Sequence, residues 1–259
     1  MTSISDTYGK LDIGRVIQET FGVLGRNFLT FLVLAIILTG IPTAVVYGLQ
    51  GDIVRQGVTA DMGSRLFSSL LGGVVAGLAG LILQGTIIYG TVGDLNGRRV
   101  SLADSLRVGL YAFLPMLLIG IMMGLAIGVG LILLIVPGVM LGIAWCVAIP
   151  VYVVERTGIM DVFGRSAELT RGNRWRIFGL VIIWVVAIVI IEMVFTVLGG
   201  VSSLLAGAGG FPLVTRLVFL PLIQVANGLI GATGVAALYV ELRQIRDGVG
   251  PAGLAAIFD

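Results

Sequence analysis

The sequence predicts an all-α integral membrane protein with six transmembrane helices, and three observations carry that prediction. Hydrophobic residues make up 58% of the 259 residues and charged residues 12%, with a mean hydropathy of +1.10. A water-soluble domain holds about 45–50% apolar and about a quarter charged residues, so this chain has too few polar side chains to cover a soluble globule. Second, the apolar residues come in continuous runs of 16 to 27, not in the roughly ten-residue alternating segments of a membrane β-barrel. Third, the basic residues between the runs fall overwhelmingly on one side.

A spanning helix needs about 20 apolar residues, because each residue rises ~1.5 Å and the hydrocarbon layer is ~30 Å thick. Six runs qualify: Phe28 to Leu49, Leu66 to Val92, Tyr111 to Ile135, Val139 to Val154, Ile177 to Leu198 and Val214 to Val240. The first is read as a span and not as a cleaved export signal. It follows 27 amphipathic residues and has no small-residue cleavage pattern behind it. Only Val136-Pro137-Gly138 separates the third run from the fourth, which predicts a tight hairpin. Pro150 leaves the end of the short fourth span open, and Pro221 predicts a kink in the sixth.

Basic residues set the orientation. Lys10, Arg15 and Arg26 precede the first span, and Arg98, Arg99 and Arg107 lie between the second and third. Arg156, Arg165, Arg171, Arg174 and Arg176 lie between the fourth and fifth, and Arg243 and Arg246 follow the sixth. The other side holds Arg55, Arg65 and Arg216. Cytoplasmic loops keep the excess of Lys and Arg, so both termini are expected inside. Tyr89, Tyr111, Tyr152, Trp175 and Tyr239 fall at the inner ends, where an aromatic belt belongs.

Three amphipathic segments lie on that side. In the first, Ile13, Val16, Ile17, Thr20, Phe21 and Leu24 share a face opposite Arg15, Gln18, Glu19 and Arg26, the pattern of a helix lying in the interface. The second starts at Ser101, an N-cap with Asp104 three residues on, and presents Leu102, Leu106 and Leu110. The third, Ile159 to Arg171, sets Ile159, Phe163 and Ala167 against Asp161, Arg165 and Glu168, with Asp161 and Arg165 at pairing distance. Each precedes a pair of spans, and each pair ends with a tyrosine and then acidic residues. Two readings stand: a threefold internal repeat in one membrane domain (1–259), with modules at about 11–97, 100–156 and 158–246, or the common demand of interfaces for tyrosine and charge. The tail after Gly248 reads as a loosely held end.

The run Leu134-Ile135-Val136-Pro137-Gly138-Val139-Met140-Leu141 leads to Ala148-Ile149-Pro150 and Val154-Glu155-Arg156. Gly164-Arg165-Ser166-Ala167-Glu168-Leu169-Thr170-Arg171-Gly172-Asn173 and Arg174-Trp175-Arg176 follow. With the six-span layout, this resembles the family named for the membrane domain of glycerophosphoryl diester phosphodiesterases, including its stand-alone bacterial members. The resemblance implies a multi-pass protein of the bacterial plasma (inner) membrane. It supplies no activity for stand-alone members, and the histidines and acidic metal ligands of the fused phosphodiesterase domain have no counterpart here.

Residue usage narrows the chemistry further. With no histidine there is no Ser-His relay, imidazole shuttle or His-anchored metal site. The single cysteine, Cys146, makes no internal disulfide or CxxC site. Lys10 lies outside the spans, which excludes a Walker-type phosphate loop. No cofactor, metal or catalytic residue is therefore expected. Nucleic acid is not an expected partner, because the arginines sit beside apolar spans where lipid phosphates are the nearer counterpart.

Two candidate sites remain. Arg165, Arg171, Arg174 and Arg176 are a candidate lipid or anion contact, at ~1 kcal/mol per arginine near an anionic surface, or an orientation signal with Trp175 as anchor. Glu192 lies inside the fifth span, where a charge costs ~2.5–3.5 kcal/mol unless it is paired. Arg216 stands at similar depth in the sixth, so an ion pair closing the last hairpin is the first reading and a relay the second. Gln224 and Asn227, with Gln84 in the second span, are read first as interhelical hydrogen bonds. Gly73 and Gly77, and Gly120, Gly124 and Gly128, stand four apart and are read as helix packing within the monomer. The expected role is a non-enzymatic, membrane-organising or lipid-contacting protein, with membrane lipids and a protein partner or second copy as associates. A small transporter or channel using Glu192, Arg216, Gln224 and Asn227 is the alternative. Catalysis by Glu155 or Glu241 comes third, behind salt bridges to the adjacent Arg156 and Arg243.

Overall fold

The computed structural model describes residues 10–55, 62–98, 101–205 and 215–248, and every regular element among them is helical. Six stretches are long and apolar enough to cross a membrane: Phe28–Gly48, Ser69–Leu95, Leu102–Leu133, Ile135–Glu155, Arg174–Leu198 and Leu217–Asp247. They match the six expected runs. The chain is an integral, multi-pass membrane protein.

Helix α1 (Ile13–Arg26) starts at Asp12, whose carboxylate accepts from the Arg15 N–H at 3.2 Å. Its Val16, Thr20 and Val23 are buried in the protein core, so part of the face expected to meet lipid packs instead on the last helix. Phe21 keeps the expected outward exposure. The first span is α2 (Phe28–Ala35), a π-helical segment (Ile36–Gly40) and α3 (Ile41–Arg55). The sixth has the same device: a π-helical segment (Thr215–Phe219) runs into the last helix, α10 (Leu220–Asp247). Both segments end two residues before a proline, Pro42 and Pro221. A proline has no N–H for the carbonyl four residues back and its ring crowds that carbonyl, so the preceding turn widens. The kink expected at Pro221 takes this form, and the two widened segments pack between the first and sixth spans.

Helix α4 (Met62–Leu95) and helix α5 (Leu102–Leu133) form an antiparallel pair. Ser101 caps α5 as expected, accepting from the Asp104 N–H at 3.1 Å while its hydroxyl donates to the Asp104 carboxylate. The cap does not open a separate interfacial helix, however. Residues 102–110 are the first turns of the third span itself, because nothing in them breaks the helix before Tyr111. The two helices touch backbone to backbone: a Cβ on Gly85 would sit 3.2 Å from the Gly109 Cα, and one on Gly109 would sit 2.8 Å from the Ile82 carbonyl oxygen.

The hairpin between the third and fourth spans turns at Leu134, which is extended (φ −158°, ψ 131°). Pro137 and Gly138, expected in the turn, instead lie in the first turn of α6 (Ile135–Ala144), where proline costs no hydrogen bond. Gly130 and Gly138 allow that closure, since a Cβ on Gly130 would stand 2.9 Å from the Gly138 Cα. The fourth span then breaks at 145–147 and resumes as α7 (Ala148–Glu155), with Pro150 in its first turn. Helix α8 (Asp161–Leu169) follows, then α9 (Arg174–Leu205).

The core is displaced toward the arginine-rich end. Leu11, Val23, Ile87, Met116, Val151, Leu169, Tyr239 and Leu242 are all buried there. Toward the other end large apolar residues are exposed, among them Leu70, Leu125, Ile132, Val189 and Val197. Gly73, Gly77, Gly120, Gly124 and Gly128 have no atom within 4 Å of where a Cβ would stand, so they do not make the monomer packing expected of them. Helix α9 is the least enclosed span, with 6% of its most apolar window buried.

Candidate functional site

The arginine-rich end is held together by the segment 164–176, and most of its polar groups serve the fold. The break in the fourth span leaves the Ala144 carbonyl without its helical donor, because the Ala148 N–H bonds Trp145 instead. The Ser166 hydroxyl donates to that carbonyl at 2.9 Å and the Thr170 hydroxyl at 3.3 Å. Both side chains are fully buried. The Trp145 and Phe163 rings meet at a tilt of 59° with centroids 4.8 Å apart. The buried side of α8 is Val162, Ser166 and Leu169, one position away from the apolar face expected from its sequence.

Arg165 is the hub of an ion-pair network. Its Nε donates to the Glu155 carboxylate at 3.1 Å and its other nitrogens reach Glu168 and Asp247. Burial would lower its pKa, but hydrogen bonds from its guanidinium to Asp247 and Glu155 outweigh that, and the group is held charged above its ordinary range. The Tyr239 hydroxyl donates to Glu155 at 2.8 Å, and Arg243 donates to that hydroxyl in turn. Arg246 pairs with Glu168. The expected partner of Arg165, Asp161, is passed over for Glu168 on the same helix and for acids on two other helices, and Glu155 pairs with Arg165 instead of the neighbouring Arg156.

A second knot ties the N-terminal segment down. Leu11 is buried, its N–H donating to Asn173 Oδ1 at 2.9 Å and its carbonyl accepting from Arg176 at 2.6 Å. Arg15 pairs at 3.4 Å with Glu241, which is buried on α10. The expected Glu241–Arg243 pair is thus replaced by one spanning 226 positions. Glu19 lies close by with one carboxylate oxygen buried and without a hydrogen-bond partner among the described residues. Burial, and then the Glu241 charge, push its pKa up.

Of the four arginines expected at an anion contact, Arg165 and Arg176 are therefore engaged within the protein. Arg171 is exposed, and Arg174 is partly buried with its Nε lacking an acceptor among the described residues. Trp175 between them is 85% exposed. A like arrangement stands on α5, where Arg107 lies 5.6 Å over the exposed Tyr111 ring. Tyr239, expected in the aromatic belt, is fully buried instead.

The intramembrane residues are not gathered. Glu192 is exposed on α9 and makes no ion pair among the described residues. Arg216 of the expected Glu192–Arg216 pair lies in the π-helical segment, and its side chain is not among those described. Gln224 is exposed and Asn227 half-buried on α10, and neither side chain makes a hydrogen bond among the described residues. No group of His, Cys, Asp and Glu among those residues could hold a metal ion.

A cavity of about 450 Å³ with a mixed polar and apolar lining opens at this same end, bounded by the α1–α2 junction, the end of α4 and the start of α5. Arg26, Asp94, Arg98 and Ser105 line it together with Phe31 and Leu34. Asp94 accepts from Arg26 Nε at 3.1 Å and from Asn27 at 2.9 Å. Sequence reasoning missed this cavity, because its wall joins three segments that carry no shared motif.

Comparison with known proteins adds a family. Residues 112–246 match the family described as the membrane domain of glycerophosphoryl diester phosphodiesterase. A UPF0259 membrane protein of Pectobacterium carotovorum is 26% identical over 168 residues, covering 60% of this chain and 67% of that protein. No solved structure matches the chain significantly.

Proposed function

This chain belongs to the family of the membrane domain of glycerophosphoryl diester phosphodiesterase, and on that footing we propose that it is a non-enzymatic, lipid-contacting and membrane-organising protein. It lies in a bacterial plasma membrane with both termini cytoplasmic, and Arg171, Arg174 and Trp175 form its contact with anionic headgroups. The single observation that carries this reading is the fate of the arginines in segment 164–176. Arg165 and Arg176 are spent on internal carboxylates and a carbonyl, while Arg171 and Arg174, whose Nε has no acceptor among the described residues, flank a tryptophan exposed at a span end. An amphipathic ring with basic neighbours at a span end matches the chemistry of the headgroup layer. Orientation rests on the same end of the bundle holding most of the arginines. The bacterial relative supports the choice of membrane.

Transport along the fifth and sixth spans draws less support, because Glu192 and Gln224 both stand on exposed faces and neither lines the cavity described above. Glu155 and Glu241, the acids first in line for catalysis, are committed to ion pairs that tie segments together. The test is extraction in native nanodiscs from a membrane of known composition, followed by lipid analysis. The wild-type chain should carry more anionic lipid than the bulk membrane, and the Arg171→Gln/Arg174→Gln variant should fall back toward the bulk ratio. An unchanged ratio in a folded variant would remove the rim from the reading.

A further inference from the structure

We propose that α9 is a docking helix for a second protein's transmembrane helix, one that carries a lysine or arginine opposite Glu192. The inference goes beyond the lipid-contacting reading and uses none of the residues of the Arg171–Trp175 rim. Behind it stands a spanning helix that its own chain leaves almost uncovered. Helix α9 lies against α6 and α1, and Ile177 in its first turn is buried. The Trp184 ring reaches α10, where a Cβ on Gly231 would stand 2.9 Å from it. Beyond Trp184 the helix runs on with Val185, Val186, Val189, Ile190 and Met193 exposed.

Apolar exposure by itself calls for nothing more than acyl chains. Glu192 is the group that acyl chains cannot satisfy. It stands six residues before Leu198, where the span ends, so at ~1.5 Å per residue it is about 9 Å inside the span. A charge within a span is costly and is found paired or facing water. Glu192 is exposed and makes no ion pair among the described residues. Thr196, one turn on, does not serve its carboxylate: the Thr196 hydroxyl donates to the Glu192 backbone carbonyl at 2.8 Å. The π-helical segment that carries Arg216 packs on α3 and α10 while α9 packs on α6 and α1, so the complementary charge is assigned to another chain. The face suits a helix as its occupant. Val185, Val189, Glu192 and Thr196 recur at intervals of four, three and four and share one exposed side. Three of them are β-branched, with little rotamer freedom to lose on contact, and none is bulky enough to hold a partner backbone away.

The experiment places the full donor-labelled chain in phosphatidylcholine vesicles, whose headgroups carry no net charge, with an acceptor-labelled synthetic transmembrane helix of leucine and alanine. That helix carries one lysine at the depth of Glu192, or a leucine in its place, and energy transfer reports binding. The lysine helix should bind about three- to tenfold more tightly than the leucine helix. Glu192→Gln should abolish the preference, and Glu192→Lys should transfer it to a helix with glutamate at the same position. Glu192 is exposed, so both variants should keep the packing of the monomer. Equal binding of the lysine and leucine helices, or a lysine preference that survives Glu192→Gln, would overturn the docking. So would tighter lysine-helix binding by Arg216→Gln, which would show that Arg216 already neutralises Glu192. Displacement of the lysine helix by unlabelled chain would make the occupant a second copy and overturn the basic partner. The Arg171→Gln/Arg174→Gln variant should keep the wild-type preference, so the rim and the docking helix fail separately.

Discussion

Leu11 and Asn173 stand 162 positions apart and are joined by a buried hydrogen bond, the Leu11 N–H donating to the Asn173 side-chain carbonyl at 2.9 Å. Arg176 takes the Leu11 carbonyl, so both backbone groups of one residue are satisfied by the loop before α9 and the first turn of that helix. The chain ahead of α1 is thereby tied to α9. Asn173→Ala leaves a buried N–H without an acceptor, at a cost of about 1–3 kcal/mol. Hydrogen exchange at the Leu11 amide should speed up in that variant while amides in α4 keep their protection. Unchanged exchange at Leu11 would mean the clamp contributes nothing.

Arg165 should matter far more to stability than Arg171, although both lie in the same basic segment. Replacing Arg165 with Met takes the shared cation from Glu155 and Asp247 and leaves them only Tyr239 and Arg243, and breaking one partner of a partly buried pair costs on the order of 2–4 kcal/mol. Arg171→Gln touches only an exposed side chain and should stay within about 0.5 kcal/mol. Thermal unfolding in detergent ranks the two, and equal melting points would refute the hub.

Glu19 gives the chain a pH dependence of known sign. Its folded-state pKa is raised above the ordinary value of 4.5, by burial first and the Glu241 charge second. The fold therefore favours the protonated form. Stability from this group is whole below about pH 4.5 and is lost as pH rises through the raised value. Glu19→Gln, permanently neutral, should melt above the wild type at pH 7, and the gap should close near pH 4. A gap of the same size at both pH values would assign the effect to something other than ionisation.

Gly109 is the tightest point of the α4–α5 contact. A methyl group there would press on the Ile82 carbonyl oxygen and the Thr86 hydroxyl, so Gly109→Ala should destabilise by about 1–3 kcal/mol or more. Gly124→Ala on the same helix meets open space and should be close to silent. Melting curves for the two alanine variants compare the same substitution in crowded and empty surroundings.

Glu192 stands on the exposed face of the fifth span. Glu192→Leu should ease insertion of that span by on the order of 2–3 kcal/mol, read as the inserted fraction in a translocon assay. A loss of folded protein in the variant would show that the carboxylate has a partner worth more than its cost.

The six spans were legible in the residues because insertion into lipid is decided largely residue by residue. A run such as Ile177 to Leu198 carries its own transfer free energy wherever its neighbours lie. Caps are also local, which is why Ser101 with Asp104 and Asp12 with Arg15 behave as short-range chemistry requires. Broken helices were half legible. Pro150 and Pro221 mark where a span is open to a break or a kink, but not whether the chain answers with a π-helical turn or a full interruption.

Partner choice was not legible, since a guanidinium pairs with whichever carboxylate the fold brings within 4 Å. Arg165 passed over Asp161 for Glu155 and Asp247, and Arg15 found Glu241 at the far end of the chain. Only the packing of α8, α10 and the segment before α1 decided which basic residues are consumed inside the protein and which stay exposed. Hydrophobic transfer is additive along a sequence and so survives without coordinates. Ion pairing and cavity formation depend on distances between remote segments, and those exist only once the helices have packed.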